Sequence, residues 1–350
     1  MNHYCTYFDR GYLAQGLALW TSLARHDAAA QLTVLALDEF TAEVFGALGE
    51  PRIRVLGRRE LLAADPALAA VEATRSRAEF IFALTPCLVR HLCATRPEID
   101  CIAYLDADLF LFGAPTPVWA ALEGHSILIV PHRYPDWHDD AARYGTYNVG
   151  VVAFRRDASG CACVEWWRTQ CLASTSLTAD GERFGDQKYL DEWPRRFSGV
   201  VELAHSGVNV APWNWARHRF ECDDRGVWVD GRPLVIFHFA QFKRVSARWF
   251  DSGQLEYGIM PGWLRSRIYG EYWAGLQEAE LAIRRARPEF SIPRRGWAAS
   301  LGAWHLACLR IFWGQFWLHL GSQWFAGRMG LGRWSGHAMG GYRRWQRRQP

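Results

Sequence analysis

Short apolar runs alternate with amphipathic stretches along most of this chain. The first run, His3 to Phe8, has the composition of a strand. The residues that follow it are apolar at helical spacing, at Leu13, Leu17, Trp20 and Leu23. The chain is therefore predicted to open with a strand, a turn and a helix.

Three further runs are nearly continuous in aliphatic and β-branched residues: Gln31 to Leu37, Ile53 to Leu56 and Ile102 to Leu105. Such runs are typical of parallel strands that are buried on both faces. Helix-spaced apolar residues over Glu79 to Cys93 predict a helix before the third run, although Pro86 disfavours a regular helix there.

The second half of the chain continues this mixed pattern. Strands are predicted at Ser126 to Val130, Tyr147 to Phe154 and Leu234 to Phe239, and helices at Cys161 to Cys171 and Trp263 to Arg287. The sequence has no internal repeat. It predicts one α/β domain over residues 1–290, with helices that flank a sheet, and a separate tail over 291–350.

The composition supports a folded protein without disulfides. The chain has 350 residues, half of them apolar, which is enough for one large α/β domain or two ordinary ones. Its nine cysteines are odd in number and contain no CxxC pair, as expected of reduced thiols. Because the first residues lack a basic segment and a long apolar one, we expect a cytoplasmic protein.

The net charge of +4 conceals a strong asymmetry. Arg294 to Pro350 contains nine arginines, no lysine and no acidic residue, so the rest of the chain is negative. This distribution predicts a polyanionic partner for the tail. The main body lacks the basic stripe that nucleic-acid binding needs, so we expect no nucleic acid partner.

The tail is also rich in aromatic residues. Gly296 to Phe325 has many Trp, Leu and Phe residues, but polar residues interrupt it and Arg310 would lie near the centre of a spanning helix. An interfacial helix on an anionic membrane surface is predicted, which would make the protein peripheral on the inner face of the membrane. The alternative is a tail helix that packs on the catalytic domain or on a partner subunit.

Two carboxylates follow the strand at Ile102 to Leu105, in Asp106-Ala107-Asp108. The period of two in a strand points both side chains the same way, so they can share one divalent ion such as Mn²⁺ or Mg²⁺. An ion of this kind neutralises charge on a departing nucleoside diphosphate. The alternative is a structural cap or turn, but two carboxylates inside an apolar segment are unfavourable without a cation.

The ordered landmarks of the chain resemble those of GT-A fold glycosyltransferases, most nearly the family 8 type. They run through residues 3–245, at Tyr12, Gln15-Gly16, Ser22-Leu23, Tyr104 to Asp108, Asn148 to Gly150, Asp186-Gln187, Asn209 and His238 to Lys243. The resemblance implies a Rossmann-like mixed sheet flanked by helices. It also implies transfer from a nucleotide-sugar, a UDP-sugar in particular, with retention of configuration.

The resemblance assigns the ends of the donor site. It implies that Thr6, Asp9 and Tyr12 hold the nucleobase, with Tyr12 stacked on it; the alternative for Tyr12 is an ordinary aromatic on a helix face. It implies that His238 is the third metal ligand and that Lys243 contacts the diphosphate. The segment His238 to Lys243 is one residue shorter than the family pattern and lacks its Gly and Pro.

The resemblance also assigns the middle of the donor site. It implies that Asn148 contacts the donor sugar and that Gly150 lets the backbone approach closely, whereas a strand with a glycine bulge is the alternative. Asn209 belongs to a loop suited to sugar binding, or to a plain loop.

The reacting end of the donor site comes from two other segments. The resemblance places Asp186 and Gln187 beside the donor sugar as the catalytic pair, with sugar contact and stabilisation as their role and no nucleophile assigned. The alternative is a helix N-terminus. Pro86 occupies the place of a basic residue in the family, and Arg77 is the candidate substitute.

The acceptor is predicted to be a glycan or a lipid-linked molecule, as in the assembly of lipopolysaccharide, capsule or glycolipids. The polar and aromatic residues from His132 to Asp139 are predicted to form a loop near it. One alternative function is a nucleotidyltransferase of related fold, which would need a glycine-rich loop with a lysine, and Phe8 to Gly16 lacks one. Another is a non-catalytic carbohydrate-binding or membrane-adaptor protein.

Overall fold

The computed structural model describes residues 2–136, 141–179, 183–244, 249–252, 257–258, 260–291, 316–320 and 323–326. Its strands are β1 (Asn2–Phe8), β2 (Ala30–Ala36), β3 (Ile53–Gly57), β4 (Cys101–Leu105), β5 (Leu109–Leu111), β6 (Ile127–Pro131), β7 (Tyr147–Arg155), β8 (Val200–Glu202), β9 (Phe220–Asp223), β10 (Gly226–Val229), β11 (Arg232–Pro233), β12 (Ile236–His238), β13 (Lys243–Arg244), β14 (Trp249–Asp251), β15 (Phe316–Leu320) and β16 (Gln323–Ala326).

The α-helices are α1 (Leu13–His26), α2 (Glu39–Leu48), α3 (Arg58–Ala64), α4 (Pro66–Thr74), α5 (Arg77–Thr95), α6 (Thr116–Leu122), α7 (Ala158–Ala173), α8 (Trp193–Arg196) and α9 (Gly262–Ala286). Short 3₁₀ turns lie at Arg10–Tyr12, Ala141–Tyr144, Lys188–Glu192 and Trp215–Arg217. The strands and helices predicted from the apolar pattern are confirmed to within a few residues.

The main sheet has seven strands in the order β3-β2-β1-β4-β7-β6-β8. Strands β1 to β4 are parallel, whereas β7 runs antiparallel to both β4 and β6. The carboxyl ends of β1 and β4 and the amino end of β7 therefore meet at one edge. The predicted Rossmann-like mixed sheet flanked by helices is confirmed.

A separate two-stranded sheet lies beside this edge. Strand β12 pairs antiparallel with β5, and the register sets His238 opposite Leu109. The predicted strand at Leu234 to Phe239 thus exists, but it belongs to this small sheet. Its pairing brings His238 next to the turn that follows β4.

Two hydrophobic cores cover the two faces of the main sheet. Alternate residues of β4 divide between them, with Ala103 and Leu105 in one core and Ile102 and Tyr104 in the other. Helices α1 and α9 pack together over the first core, and α5 and α7 over the second. The charged residues at the strand ends are thus held between two rigid layers.

Helix α5 begins with a capping box between Ser76 and Glu79 and accommodates Pro86 in its interior. Among the helices that the structure describes, α5 is the one long and apolar enough to cross a membrane. Half of that apolar stretch is buried inside the protein, which is the pattern of a core helix.

The described part of the tail corrects one prediction. Phe316–Leu320 and Gln323–Ala326 are strands, and β15 pairs antiparallel with both β14 and β16. The sequence carries the reason, because Gly321-Ser322 separates two aromatic runs by two residues, which is a hairpin signal. The helix predicted over Gly296 to Phe325 is therefore wrong in these two segments, and its remaining residues lie outside the described ones.

Candidate metal and donor site

The two carboxylates of the Asp106-Ala107-Asp108 turn lie directly after β4. The amide of Asp106 donates to the carbonyl of Gly150, and that of Leu109 donates to the carbonyl of Asp106, at 3.0 and 3.1 Å. The hydroxyl of Tyr104 donates to Asp106 Oδ1 at 2.7 Å. The side chains of Asp106 and Asp108 remain 31% and 20% exposed, so a ligand can reach them.

His238 completes this cluster from β12. Its Nε2 lies 3.6 Å from Asp106 Oδ2 and 3.1 Å from Asp108 Oδ1, and the ring is buried. One ligand atom from each of the three residues lies within 4.8 Å of the others. Two carboxylate oxygens and an imidazole nitrogen fit Mn²⁺ well and Mg²⁺ acceptably. In the described part of the chain this is the one such cluster of three or more acidic, His or Cys residues.

The charges in this cluster are coupled. Burial raises the pKa of Asp106, and the nearby Asp108 carboxylate raises it further, while His238 lowers it. Burial alone lowers the pKa of His238, but the carboxylates of Asp108 and Asp106 raise it by more.

Gly150 and Asn148 on β7 lie behind His238. A Cβ atom on Gly150 would lie 2.7 Å from both Cε1 and Nδ1 of His238, so only glycine leaves room for the ring. Asn148 Oδ1 accepts from the amide of Gly150 at 3.0 Å and from Asn209 Nδ2 at 3.1 Å. At Gly150 the backbone is approached closely by the ring of His238, and the predicted approach of the donor sugar stays a prediction.

Two residues predicted to contact the donor are placed in the interior. Asn209 is 0% exposed, and its side chain is bonded to Asn148 and His238. Thr6 is also 0% exposed, and its hydroxyl has no hydrogen-bond partner among the described residues. A side-chain contact between a donor and either residue is therefore not supported, because both point into the protein. The sugar contact of Asn148 stays a prediction, although the polar atoms of its buried amide are already bonded.

Asp186 is linked to Asp106 through Thr85, Tyr7 and Tyr104. The Tyr7 hydroxyl lies 3.1 Å from Thr85 Oγ1, and the Tyr7 ring contacts the ring of Tyr104 at 5.6 Å. The Asp186 side chain is buried, and Asp186 Oδ2 accepts from the hydroxyl of Thr85 at 3.0 Å. Burial, and then the Asp106 charge, raise the pKa of Asp186 to about 7. Gln187 is bonded through Nε2 to the carbonyl of Tyr144 at 2.6 Å. Asp186 is thus buried and Gln187 half-buried, and the contact of this pair with the sugar stays a prediction.

The opposite side of the site forms a cavity of about 60 Å³. Tyr12 and Lys243 both line it, and their contacts with a nucleobase and a diphosphate stay predictions. Asp9 caps the turn before Tyr12, by accepting from the amide of Gly11 at 2.8 Å, and forms an ion pair with Arg77. Arg77 thus lies at the Asp9 end of the site, where it lines a second cavity of about 260 Å³.

Sequence reasoning missed Tyr7 and Thr85. It assigned His132 to the acceptor loop, whereas the structure sets His132 Nε2 3.3 Å from Asn148 Nδ2. The hydroxyl of Tyr7 donates to the carbonyl of Ile81 at 3.0 Å and lies 3.1 Å from Thr85 Oγ1. The position of Thr85 beside Pro86 was a usable signal, because the family has a donor-site residue there. Tyr7 carried no signal. Of the predicted acceptor loop, Trp137, His138 and Asp139 lie outside the described residues.

Comparison with known proteins found two relatives of unassigned function. The uncharacterized protein YfnF of Bacillus subtilis is 31% identical over 251 residues, which cover 69% of this chain and 82% of YfnF. The uncharacterized protein YfnD of the same organism is 27% identical over 292 residues, which cover 83% of this chain and 93% of YfnD. No family model matches the chain.

Among solved structures, this chain is similar to the galactosyltransferase LgtC in complex with donor and acceptor sugar analogs. The likeness has a TM-score of 0.48 and 17% identity, and it covers 80% of this chain and 95% of LgtC. The glycosyltransferase GlyE of Streptococcus pneumoniae gives a TM-score of 0.48 and 17% identity, over 81% of this chain and 62% of GlyE.

Proposed function

The chain belongs to the family of YfnF, and from that premise and the geometry of the site we propose that it is a metal-dependent glycosyltransferase with a nucleotide-sugar donor. The observation that carries the proposal is the convergence of Asp106, Asp108 and His238 at the open edge of a mixed α/β sheet. This cluster has the donor atoms and the exposure that a diphosphate-bridging ion needs.

We propose Mn²⁺ or Mg²⁺ as the ion, held by Asp106, Asp108 and His238. When bound, the ion neutralises the negative charge that develops on the departing nucleoside diphosphate. Tyr104 orients Asp106 by donating to its Oδ1, which leaves Oδ2 facing His238. The backbone hydrogen bond from Phe239 to the carbonyl of Asp108, at 2.9 Å, fixes β12 against the turn.

The donor is proposed to be a UDP-sugar that runs from the Tyr12 cavity to the metal cluster. The ring of Tyr12 supplies a face for base stacking, and the Lys243 ammonium supplies a positive charge for phosphate in the same cavity. Asp9 is held beside the cavity by its bonds to Gly11 and Arg77, so its position is fixed before a ligand arrives.

The sugar is proposed to lie near Asp186 and Gln187, and transfer is proposed to retain configuration. Because Asp186 Oδ2 accepts from Thr85, a proton on this carboxyl sits on Oδ1. With a pKa of about 7, Asp186 is protonated in a large fraction of molecules at neutral pH. It then donates from Oδ1, which suits a sugar hydroxyl without adding a second negative charge beside Asp106.

The acceptor is proposed to be a glycan or lipid-linked molecule, in the assembly of lipopolysaccharide, capsule or a glycolipid. The nine arginines of the tail, together with its tryptophans, support contact with an anionic membrane surface. A protein held at the inner face of the membrane would meet such an acceptor by diffusion in two dimensions.

Donor hydrolysis tests the activity. We would incubate the purified full-length protein with UDP-, GDP- and CMP-sugars, in Mn²⁺ or in EDTA, and measure nucleotide release and the configuration of the released sugar. We expect release from one UDP-sugar in Mn²⁺ alone. Asp108→Asn should lower it by about a thousandfold or more, whereas Asp224→Asn, at an exposed turn, should leave it unchanged.

Two results would overturn this proposal. Release that is equal in Mn²⁺ and EDTA would remove the metal role. Absence of release from every donor, with intact sugar binding, would favour the non-catalytic carbohydrate-binding alternative.

Membrane contact has its own test. In the full chain, Arg343, Arg344, Arg347 and Arg348 would all be changed to Gln. We expect the variant to lose co-sedimentation with phosphatidylglycerol vesicles and to keep donor hydrolysis, since each arginine near an anionic surface contributes about 1 kcal/mol. Equal vesicle binding by both proteins would reject the membrane proposal.

A further inference from the structure

A row of buried polar side chains leads away from the metal cluster into the protein. His238 Nδ1 lies 3.3 Å from Asn209 Oδ1, Asn209 Nδ2 lies 3.1 Å from Asn148 Oδ1, and Asn148 Nδ2 lies 3.3 Å from His132 Nε2. All four residues are buried. Residues from four segments of the chain are therefore joined through one hydrogen-bonded row.

The direction of every bond in this row is fixed by one backbone group. The amide of Gly150 donates to Asn148 Oδ1 at 3.0 Å, and a backbone amide can only donate. Asn148 must therefore present its oxygen to Gly150 and Asn209, and its NH₂ group to His132. Asn209 then presents its NH₂ group to Asn148 and its oxygen to His238.

The consequence at the metal end concerns the tautomer of His238. Because Asn209 Oδ1 can only accept, His238 Nδ1 must carry a hydrogen. The nitrogen that faces Asp106 and Asp108 is then Nε2, whose lone pair is the one a metal ion needs. At the far end His132 Nε2 must accept, and burial keeps that ring neutral by lowering the pKa of His132 to about 3.

The surrounding backbone and rings hold the row in place. Asn209 has a positive φ of 61°, a conformation that asparagine tolerates better than most residues. The Trp213 ring packs edge-on against His238 at 5.0 Å and against His132 at 5.4 Å. His238 is thus confined between Trp213 and the bare backbone of Gly150.

We propose that Asn209 is a positioning residue that fixes the tautomer and the ring orientation of His238, and that Asn148 and His132 fix Asn209 in turn. The inference rests on the proposed metal-dependent function and assigns to these residues a role other than contact with the sugar. It predicts that changes at His132, which does not touch the cluster, alter the affinity for the metal.

The test measures Mn²⁺ affinity by isothermal titration calorimetry in the full-length protein without donor. Asn209→Ala removes the acceptor and should weaken binding by roughly 10–100-fold. Asn209→Asp keeps an acceptor for His238 Nδ1 but loses the donor to Asn148 Oδ1, so it should lose less Mn²⁺ affinity than Asn209→Ala does. Thr175→Val is the matched control, because it removes a buried polar group whose hydrogen bonds go to Glu79 and Arg75 and not to the row.

A second pair of variants acts at the far end and covers the case in which Asn209→Ala does not fold. His132→Leu leaves Asn148 Nδ2 without an acceptor and should weaken Mn²⁺ binding by roughly threefold to tenfold. His132→Gln offers a carbonyl oxygen at a similar place to accept from Asn148 Nδ2, and should therefore restore the Mn²⁺ affinity. Histidine ¹⁵N spectra of the metal-free proteins should show a hydrogen on Nδ1 of His238 in the wild type and in Asn209→Asp.

The outcomes separate the two proposals. An equal loss of Mn²⁺ affinity in Asn209→Ala and Asn209→Asp would overturn the positioning role, and so would an unchanged Mn²⁺ affinity in Asn209→Ala. Either result would leave the proposed function standing. Equal affinities in His132→Leu, His132→Gln and the wild type would remove His132 from the row. Wild-type protein that binds neither Mn²⁺ nor Mg²⁺ would overturn the metal site, and this inference with it.

Discussion

Asp106 and Asp186 lie in the same site, yet their surroundings are opposite. Asp106 is partly exposed and faces His238, a neighbouring carboxylate and the hydroxyl of Tyr104. Asp186 is 4% exposed, and in the described part of the chain its carboxyl is bonded to a threonine hydroxyl and to no cation. Burial raises the pKa of both carboxyl groups, and His238 offsets part of that rise at Asp106. The comparison teaches that the partners of an aspartate, together with its burial, set its pKa.

The largest effect on the contrast between Asp106 and Asp186 is expected in the pH dependence of stability, which depends on Asp186. Its pKa is about 7 in the folded protein and near 3.8 in an unfolded chain, so the unfolded state releases the proton first. Stability is therefore lost as pH rises from about 4 to 7 and is constant above that range. Asp186→Asn removes this loss. The unfolding free energy of the variant, relative to that of the wild type, should therefore be about 2–3 kcal/mol higher at pH 8 than at pH 5.

Urea unfolding of both proteins at the two pH values measures this difference. Asp224→Asn, at an exposed turn, should show no such pH dependence. A gain for Asp186→Asn that is the same at pH 5 and pH 8 would mean that Asp186 is charged in the folded protein, and the contrast with Asp106 would disappear.

The next largest effect, on stability and on Mn²⁺ binding, is expected at Gly150, which lies against the ring of His238. Gly150→Ala places a methyl group 2.7 Å from the His238 ring, so overpacking should lower the unfolding free energy by about 1–3 kcal/mol. It should also weaken Mn²⁺ binding, because the ring must move. Gly46→Ala is the control, since a Cβ there meets nothing within 4 Å inside α2 and should stabilise by about 1 kcal/mol. Mn²⁺ affinity equal to that of the wild type in Gly150→Ala would show that the ring tolerates displacement.

The smallest effect is expected at Tyr104. Tyr104→Phe removes the hydrogen bond to Asp106 Oδ1 and should weaken Mn²⁺ binding by the equivalent of about 0.5–1.5 kcal/mol. Tyr4→Phe, which removes a similar bond to Asp27 on the opposite face of the same sheet, should reduce stability and leave Mn²⁺ affinity unchanged. Equal Mn²⁺ affinities in the two variants would show that Tyr104 does not prepare Asp106 for a cation.

Much of the architecture follows from periodicity in the sequence. The buried strands could be predicted because apolar runs of that length have few other uses, and the metal cluster because two carboxylates after such a run need a cation. The hairpin at Phe316–Leu320 and Gln323–Ala326 was also present in the sequence, as an aromatic run on each side of Gly-Ser. The tryptophan and arginine content of the tail, which is typical of an interfacial helix, competes with this hairpin signal.

The interior roles of Asn209 and Asn148 could not be predicted. An asparagine that binds a sugar and one that orients a histidine have the same composition and occupy the same kind of loop. Only the fold decides which way the amide points, and here Asn209 points inward at a positive φ. The polarity of a residue indicates that it needs partners, but the sequence does not say whether those partners are ligands or neighbours.

The antiparallel pairing of β5 with β12 has a consequence for the life of the protein in the cell. The three ligands belong to segments that meet only when the chain is folded, so an ion bound to them cross-links the native state and not the unfolded one. At a hundredfold excess over its dissociation constant, such an ion adds about 2.7 kcal/mol to stability. The supply of the proposed ion should therefore govern how much of this protein escapes proteolysis, as well as the proposed activity.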